Sequence, residues 1–319
     1  MAASPSSTAA DERPAAVGRA PAGPERLGLG EWRDVFSRAF KQFIADDCMG
    51  LAQQVAYSSL LAFFPAVAFL LGFLGMVHLY DKVQILLGTV APHGVISFIE
   101  GLQKDSNGSA SVAAFVIGLV GALWAASGAM GSIVKAVNRA YQRVETRPFW
   151  RVRVVSVILV LASGLVLAGM LLLIVLGGKL DDAIARKAHL GGAFTWLWDI
   201  FRWPLAFVAV LLLFALIYYL APNESQRDWK WLTPGSLVGS LMWLALSGLF
   251  ALYTSLSSSY SRTYGSLAGG IVLLLWLNYS GWAVLFGAEL NSELDRQADI
   301  RAAGGPNAGL VKPARRMQT

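Results

Sequence analysis

Between residues 154 and 178 the chain runs for 25 residues without one Asp, Glu, Lys, Arg or His. A helix rises about 1.5 Å per residue, so roughly 20 apolar residues cross the ~30 Å hydrocarbon core of a bilayer. Five more stretches match or approach that length, at 52–79, 112–134, 203–221, 234–256 and 266–289. None has a polar face wide enough for a helix lying half in water. All are far too long for the strands of a membrane barrel, whereas a helix satisfies its own backbone in lipid. The expected fold is therefore all-α. It is a polytopic transmembrane helical bundle of about six spans, occupying residues 46–295.

The flanking segments differ in kind. Residues 1–30 are rich in Ala, Pro, Ser and Gly and predict a disordered tail, and a second disordered tail is expected over 296–319. Over 31–45, Trp32, Val35, Phe36, Ala39, Phe40 and Phe43 recur at helical spacing, while Arg33, Asp34, Arg38, Lys41 and Gln42 take the opposite face. That pattern predicts an N-terminal amphipathic helix, and two placements fit it: in the membrane interface, or packed beneath the bundle. The long connection 80–111, divided by Pro92, predicts two short amphipathic helices.

Only 14% of residues are charged, against about 25% in soluble domains, and the mean hydropathy is +0.54. The net charge of +6 sits beside the apolar runs, where orientation in the membrane explains it better than a nucleic-acid partner. Lys135, Arg139, Arg143, Arg147, Arg151 and Arg153 cluster between the second and third runs. Arg33, Arg38 and Lys41 precede the first run, and Arg296, Arg301, Lys312, Arg315 and Arg316 follow the last. The positive-inside rule then places both termini in the cytoplasm. The partners implied are the lipid bilayer and its anionic headgroups; nothing bears on oligomeric state. Cys48 is the single cysteine, which excludes an intrachain disulfide and a Cys-based metal site. No G-x-x-x-x-G-K-[ST] loop occurs. No catalytic group, metal or cofactor is expected.

The candidate functional residues fall into two groups. Asp46 and Asp47 precede the first run, Lys135 and Arg139 end the second, and Glu289 and Glu293 end the sixth. With both termini on one side, all six lie at the same level. Opposite charges at helix ends suit an inner gate that opens when the pairs break. Arg139, Arg143 and Arg147 equally suit a phosphorylated headgroup, and plain interface anchoring is the third reading. The second group lies within the runs. Pro65 frees the carbonyl of Leu61 and makes either a hinge or a fixed kink. Ser127 belongs to a small-residue face, Ala125 to Ser132, suited to close helix packing or to lining a pathway. Asn278 is costly against lipid, so it is expected to point inward and bond across helices, as structural glue or as a solute contact. Gly235 and Gly239 repeat the small-residue device, and Thr233-Pro234 marks a helix start.

These residues carry a resemblance. Asp46 to Pro65 reads DDCMGLAQQVAYSSLLAFFP and Trp124 to Arg147 reads WAASGAMGSIVKAVNRAYQRVETR. Leu220-Ala221-Pro222 with Trp229, Thr233-Pro234-Gly235, Tyr264 to Ala268, Leu275-Trp276-Leu277 and Gly287 to Asn291 follow in order. Over about 45–295 the chain resembles the bacterial YihY/BrkB membrane-protein family, once labelled ribonuclease BN. The resemblance implies a six-span inner-membrane protein. It also implies a link to serum resistance and, in one branch, to export of lipopolysaccharide precursors. Asn278 departs from the aromatic or aliphatic residue more usual there. Zinc hydrolysis needs converging His and carboxylate ligands. His78, His93 and His189 are scattered over connections expected outside the cytoplasm, so a ribonuclease is not expected. Two functions fit: a transporter or translocase of an amphipathic or lipid-like solute, or a non-transporting scaffold for envelope assembly.

Overall fold

The computed structural model describes residues 28–76, 108–171, 191–223, 232–256 and 267–302. Among these the chain forms helices and no strand. In chain order they are α1 (Leu29–Ala45), α2 (Cys48–Met76), α3 (Gly108–Ala140), α4 (Phe149–Leu171), α5 (Gly191–Leu220), α6 (Pro234–Leu256) and α7 (Leu267–Ala302). The six long helices α2–α7 answer to the six apolar runs.

Helix bounds depart from the apolar runs in a consistent way. α3 extends to Ala140 and α7 to Ala302, beyond the apolar stretches that seed them. Lipid sets the length of an apolar run, but a helix continues past it while its backbone bonds keep propagating. The expected tail over 296–319 is thus helical to Ala302. The expected helices of the 80–111 connection lie outside the described residues up to 107, and 108–111 belong to α3. Of the two tails, 1–27 and 303–319 also lie outside them.

Five stretches qualify as spans by length and composition among the described residues: Gly118–Ala140, Phe149–Met170, Ile200–Leu220, Pro234–Thr254 and Gly269–Ala298. α2, 29 residues without a charge, is the sixth long apolar helix. Consecutive helices from α2 to α7 pack on one another, and α7 packs back on α2, closing a ring; α7 also reaches across to α3.

Beyond its apolar core, the bundle is apolar on its outer surface as well, and a minority of polar side chains are buried inside it. Leu161, Leu165, Leu167, Leu212, Leu249 and Leu252 are exposed, while Ser127, Ser156, Ser236, Ser240, Asn138, Asn291, Glu289 and Glu293 are buried. Lipid offers leucine the same environment as a protein core, so helices associate instead through close packing and interhelical hydrogen bonds. Gly281 of α7 lies against Ala52 of α2, where an added Cβ would meet the alanine Cβ at 2.9 Å. Gly235 of α6 and Gly287 of α7 meet backbone to backbone, and Tyr218 of α5 donates its hydroxyl to the Val284 carbonyl at 2.8 Å. Trp243 and Trp276 donate indole N–H groups to Ser280 and Ser247 at 3.0 and 3.2 Å.

α1 takes the second of its two expected placements, packed against the bundle. Val35 and Ala39 cluster with Leu290 and Leu294 of α7, and the Phe43 ring meets Phe286 edge-on. Leu29, Phe40 and Ile44 remain exposed along a second edge. The helix is packed on the bundle and still presents an apolar edge outward. At its start, the Glu31 carboxylate accepts a hydrogen bond from the Gly28 N–H at 2.9 Å.

Candidate functional site

The charges expected at one level are gathered where α1, α2, α3 and α7 meet, though not as one cluster. At the end of α1, Asp46 accepts a hydrogen bond from Gln42 Nε2 at 2.8 Å and pairs with Arg139 Nε of α3 at 3.6 Å. Arg139 is half exposed, so this pair is close to solvent and weak. Asp47 adopts a left-handed backbone, φ 53°, which aspartate tolerates, and its Oδ1 faces the Gly50 N–H at 3.4 Å. Asp47 therefore turns the chain from α1 into α2. Lys135 is exposed on α3 and joins none of these pairs among the described residues. Arg143 is exposed, and its backbone N–H donates to the Asn138 carbonyl at 2.8 Å.

Glu293 finds a different partner from the expected ones. Arg38 of α1 donates from Nε to Glu293 Oε2 at 2.9 Å and from Nη2 to Gln297 Oε1 at 2.7 Å. Arg296 donates to the other carboxylate oxygen at 3.2 Å. Glu293 is almost wholly buried, yet both its oxygens are engaged by guanidinium groups, as a buried carboxylate requires.

One turn earlier on α7, Glu289 is fully buried. Its Oε1 accepts from the Cys48 thiol at 3.4 Å, and its Oε2 has no hydrogen-bond partner. Burying a carboxyl group on one weak donor is expensive. The Cys48–Glu289 pair was invisible in the sequence because a lone cysteine beginning a helix signals nothing, and 241 residues separate the two.

The α3–α4 connection holds a network whose members show in the sequence only as basic residues. Arg147 donates from Nε and Nη2 to the Glu145 carboxylate at 2.8 and 2.7 Å. It also donates to the last carbonyls of α5, Leu220 at 3.2 Å and Ala221 at 2.7 Å. A cation on unpaired terminal carbonyls is favourable for both the hydrogen bonds and the helix dipole. The Arg147 hydrogen bonds hold the Glu145 carboxyl below the usual carboxylate range, its burial opposing them. Asn138 donates to Glu145 at 2.8 Å and accepts from the Asn223 N–H at 2.7 Å. α3, α4 and α5 are thereby tied together at one end. The nearness of Glu145 to Arg147 in sequence was the one available signal; the α5 carbonyls gave none.

Ser127 is buried and donates to the Trp124 carbonyl of its own helix at 2.9 Å. Pro65 is half-buried and α2 continues through it. Asn278 corrects an expectation: it lies in the bundle, but its Oδ1 is buried without a hydrogen-bond partner, so it does not bond across helices through that atom. Among the described residues no three His, Cys, Asp or Glu side chains come together as a metal site, and His78, His93 and His189 lie outside those residues.

The family model described as Virulence factor BrkB matches residues 39–310, from α1 to beyond the end of α7. The chain belongs to this family. Within the BrkB family it is similar to a ribonuclease-like protein, YfkH, of Bacillus subtilis strain 168, at 29% identity over 82% of this chain and 95% of that protein. It is also similar to a UPF0761 membrane protein of Halorhodospira halophila, at 25% identity over 85% of this chain and 59% of that longer protein. A UPF0761 membrane protein of Idiomarina loihiensis is 23% identical over 83% of this chain and 94% of the relative. No solved structure matches. The match takes in α1 from Ala39 onward, so the family segment includes the part of α1 whose Phe43 packs on α7.

Proposed function

We propose that this BrkB-family protein moves an amphipathic, lipid-like solute across the bacterial inner membrane, with both termini in the cytoplasm. The Asp46–Arg139 pair would act as a breakable contact at the entrance. The observation that carries the reading is the buried Glu289, with one oxygen unbonded, close to the Asp46–Arg139 pair at the ends of α1 and α3, of which only Arg139 is half exposed. A bundle built only for rigidity would be better served by an apolar residue at that position, since a half-satisfied buried polar group is worse than a packed hydrophobe. Long apolar spans and a basic rim suit a solute with an apolar body and an anionic head.

The test is reconstitution of the full chain in liposomes with labelled lipids and candidate solutes. Flux above empty vesicles supports translocation, and its absence across a broad panel removes it. The scaffold reading draws on the tight α6–α7 contact at Gly235 and Gly287 and predicts that same absence together with retained envelope phenotypes. The name of the Bacillus relative raises a ribonuclease. Stoichiometric zinc by elemental analysis would favour it, and we propose that none is held.

A further inference from the structure

Arg153 lies five residues into α4 and its side chain crosses to α3. Its guanidinium carbon sits 3.9 Å from the centroid of the Trp124 ring and 5.6 Å from that of Phe149. Nη1 comes within 3.6 Å of a Cβ built on Gly128. Gly128 is seven residues from Lys135, roughly 10 Å along the helix, so the guanidinium lies below the basic rim on the apolar side. Sequence position alone had assigned Arg153 to that rim.

Three features of this place belong together. The guanidinium has no carboxylate, carbonyl or hydroxyl partner among the described residues, and its Nε is both sealed from solvent and unbonded. The ring beneath it, Trp124, is 61% exposed on the outer surface of the bundle. Farther along α3, Gly118 and Gly121 have nothing within 4 Å of an added Cβ among the described residues. Arginine at membrane depth is costly and pairs with something. Here the ring orients the planar fork while its Nη groups are left without an acceptor among the described residues, and an arginine fork fits phosphate oxygens in bidentate fashion. Arg38 and Arg296, by contrast, reach Glu293, and Arg147 reaches Glu145 and the carbonyls at the end of α5.

We propose that the shallow groove between α3 and α4 binds the phosphate of an anionic phospholipid from the surrounding leaflet, through the Arg153 guanidinium stacked on Trp124. The acyl chains run along the small-residue face of α3. A headgroup held here sits deeper than its bulk neighbours. The inference deepens the translocation reading by giving the anionic head of the solute a first contact. It can nevertheless be tested without flux.

The test is native mass spectrometry of the full detergent-purified chain titrated with phosphatidylglycerol, with phosphatidylcholine, and with soluble glycerol 3-phosphate. One retained phosphatidylglycerol per chain is expected, bound about fivefold tighter than phosphatidylcholine, whose phosphate offers the same oxygens but whose choline cation offsets its charge, at about 1 kcal/mol per basic residue. Glycerol 3-phosphate is expected not to displace it. Arg153→Gln should abolish the preference, and Arg151→Gln, nearby on the exposed surface, should leave it intact. Where Arg153→Gln does not fold, Trp124→Leu replaces an exposed ring and should weaken retention severalfold. Equal retention of the two lipids, displacement by glycerol 3-phosphate, loss of a second protein copy instead of a lipid in the Arg153 variant, or an unchanged preference in both variants would each overturn the proposal. Retained phosphatidylglycerol without flux in liposomes counts against translocation and leaves this site standing; flux without lipid preference does the reverse.

Discussion

Replacing Gly287 by alanine tests the close α5–α6–α7 packing most sharply. The added Cβ would fall onto the Tyr218 hydroxyl and 2.5 Å from the Gly235 carbonyl oxygen, which is backbone and has little freedom to move. Overpacking of this kind costs about 1–3 kcal/mol. Displacing Tyr218 also breaks its 2.8 Å bond to the Val284 carbonyl, and interhelical bonds in membranes average about 0.6 kcal/mol. Alanine returns up to about 1 kcal/mol of helix propensity over glycine. The balance is a loss of about 1–3 kcal/mol, roughly 5- to 150-fold in the folding equilibrium. Gly164→Ala on α4 is the matched control: it is exposed, nothing lies within 4 Å of its Cβ, and only the propensity gain applies. Reversible unfolding of both variants in mixed micelles, followed by helical circular dichroism against denaturing detergent, measures the difference. A Gly287→Ala protein as stable as the parent, or a Gly164→Ala protein equally weakened, would refute the packing argument.

Other predictions follow from the charged end of the bundle. Arg147→Ala removes the partner of Glu145 and uncaps α5, and should cost about 1–3 kcal/mol in the same unfolding measurement, since the Glu145 carboxylate is partly exposed to solvent. Because the folded-state pKa of Glu145 is lowered, its contribution is complete above the ordinary carboxylate range and is lost as pH falls through the lower folded value. Stability should thus drop on the acid side, and Glu145→Gln should flatten that limb; an unchanged acid limb in this variant would contradict the assignment. Asn291→Ala strips the Gly235 N–H and Thr233 hydroxyl of their partners at 2.9 Å and should cost about 1–2 kcal/mol at the start of α6. Arg139→Glu, which sets two acidic groups against each other at Asp46, should impair flux in liposomes more than Arg151→Glu, and equal impairment would reduce the pair to bulk positive charge.

The bundle was legible because lipid demands long uncharged runs, and residues 154–178 could be little else. The start of α6 was legible as well: Thr233 Oγ1 accepts from the Ser236 N–H at 3.1 Å, as its place before Pro234 suggested. The pairing of Asp46 with Arg139 followed from charges at helix ends that topology brings to one level. Glu293 was expected there too, but its partner Arg38 depends on how α1 docks on α7, which no local pattern encodes. Arg153 was misplaced for a simpler reason. A one-dimensional reading assigns a charge to the depth of its Cα, whereas the Arg153 guanidinium stacks on a ring of the neighbouring helix. Asn278 was expected to find a partner because hydrocarbon punishes an open amide, yet its oxygen is buried without one.

Leaflet-to-leaflet transfer of a fluorescent anionic phospholipid in proteoliposomes, read by chemical quenching from outside, reaches the proposed activity most directly. The account predicts transfer beyond that of protein-free vesicles, reduced by Arg139→Glu and by Arg153→Gln. Vesicles carrying folded protein that exchange labelled lipid no faster than empty ones, across anionic and zwitterionic headgroups alike, would contradict it.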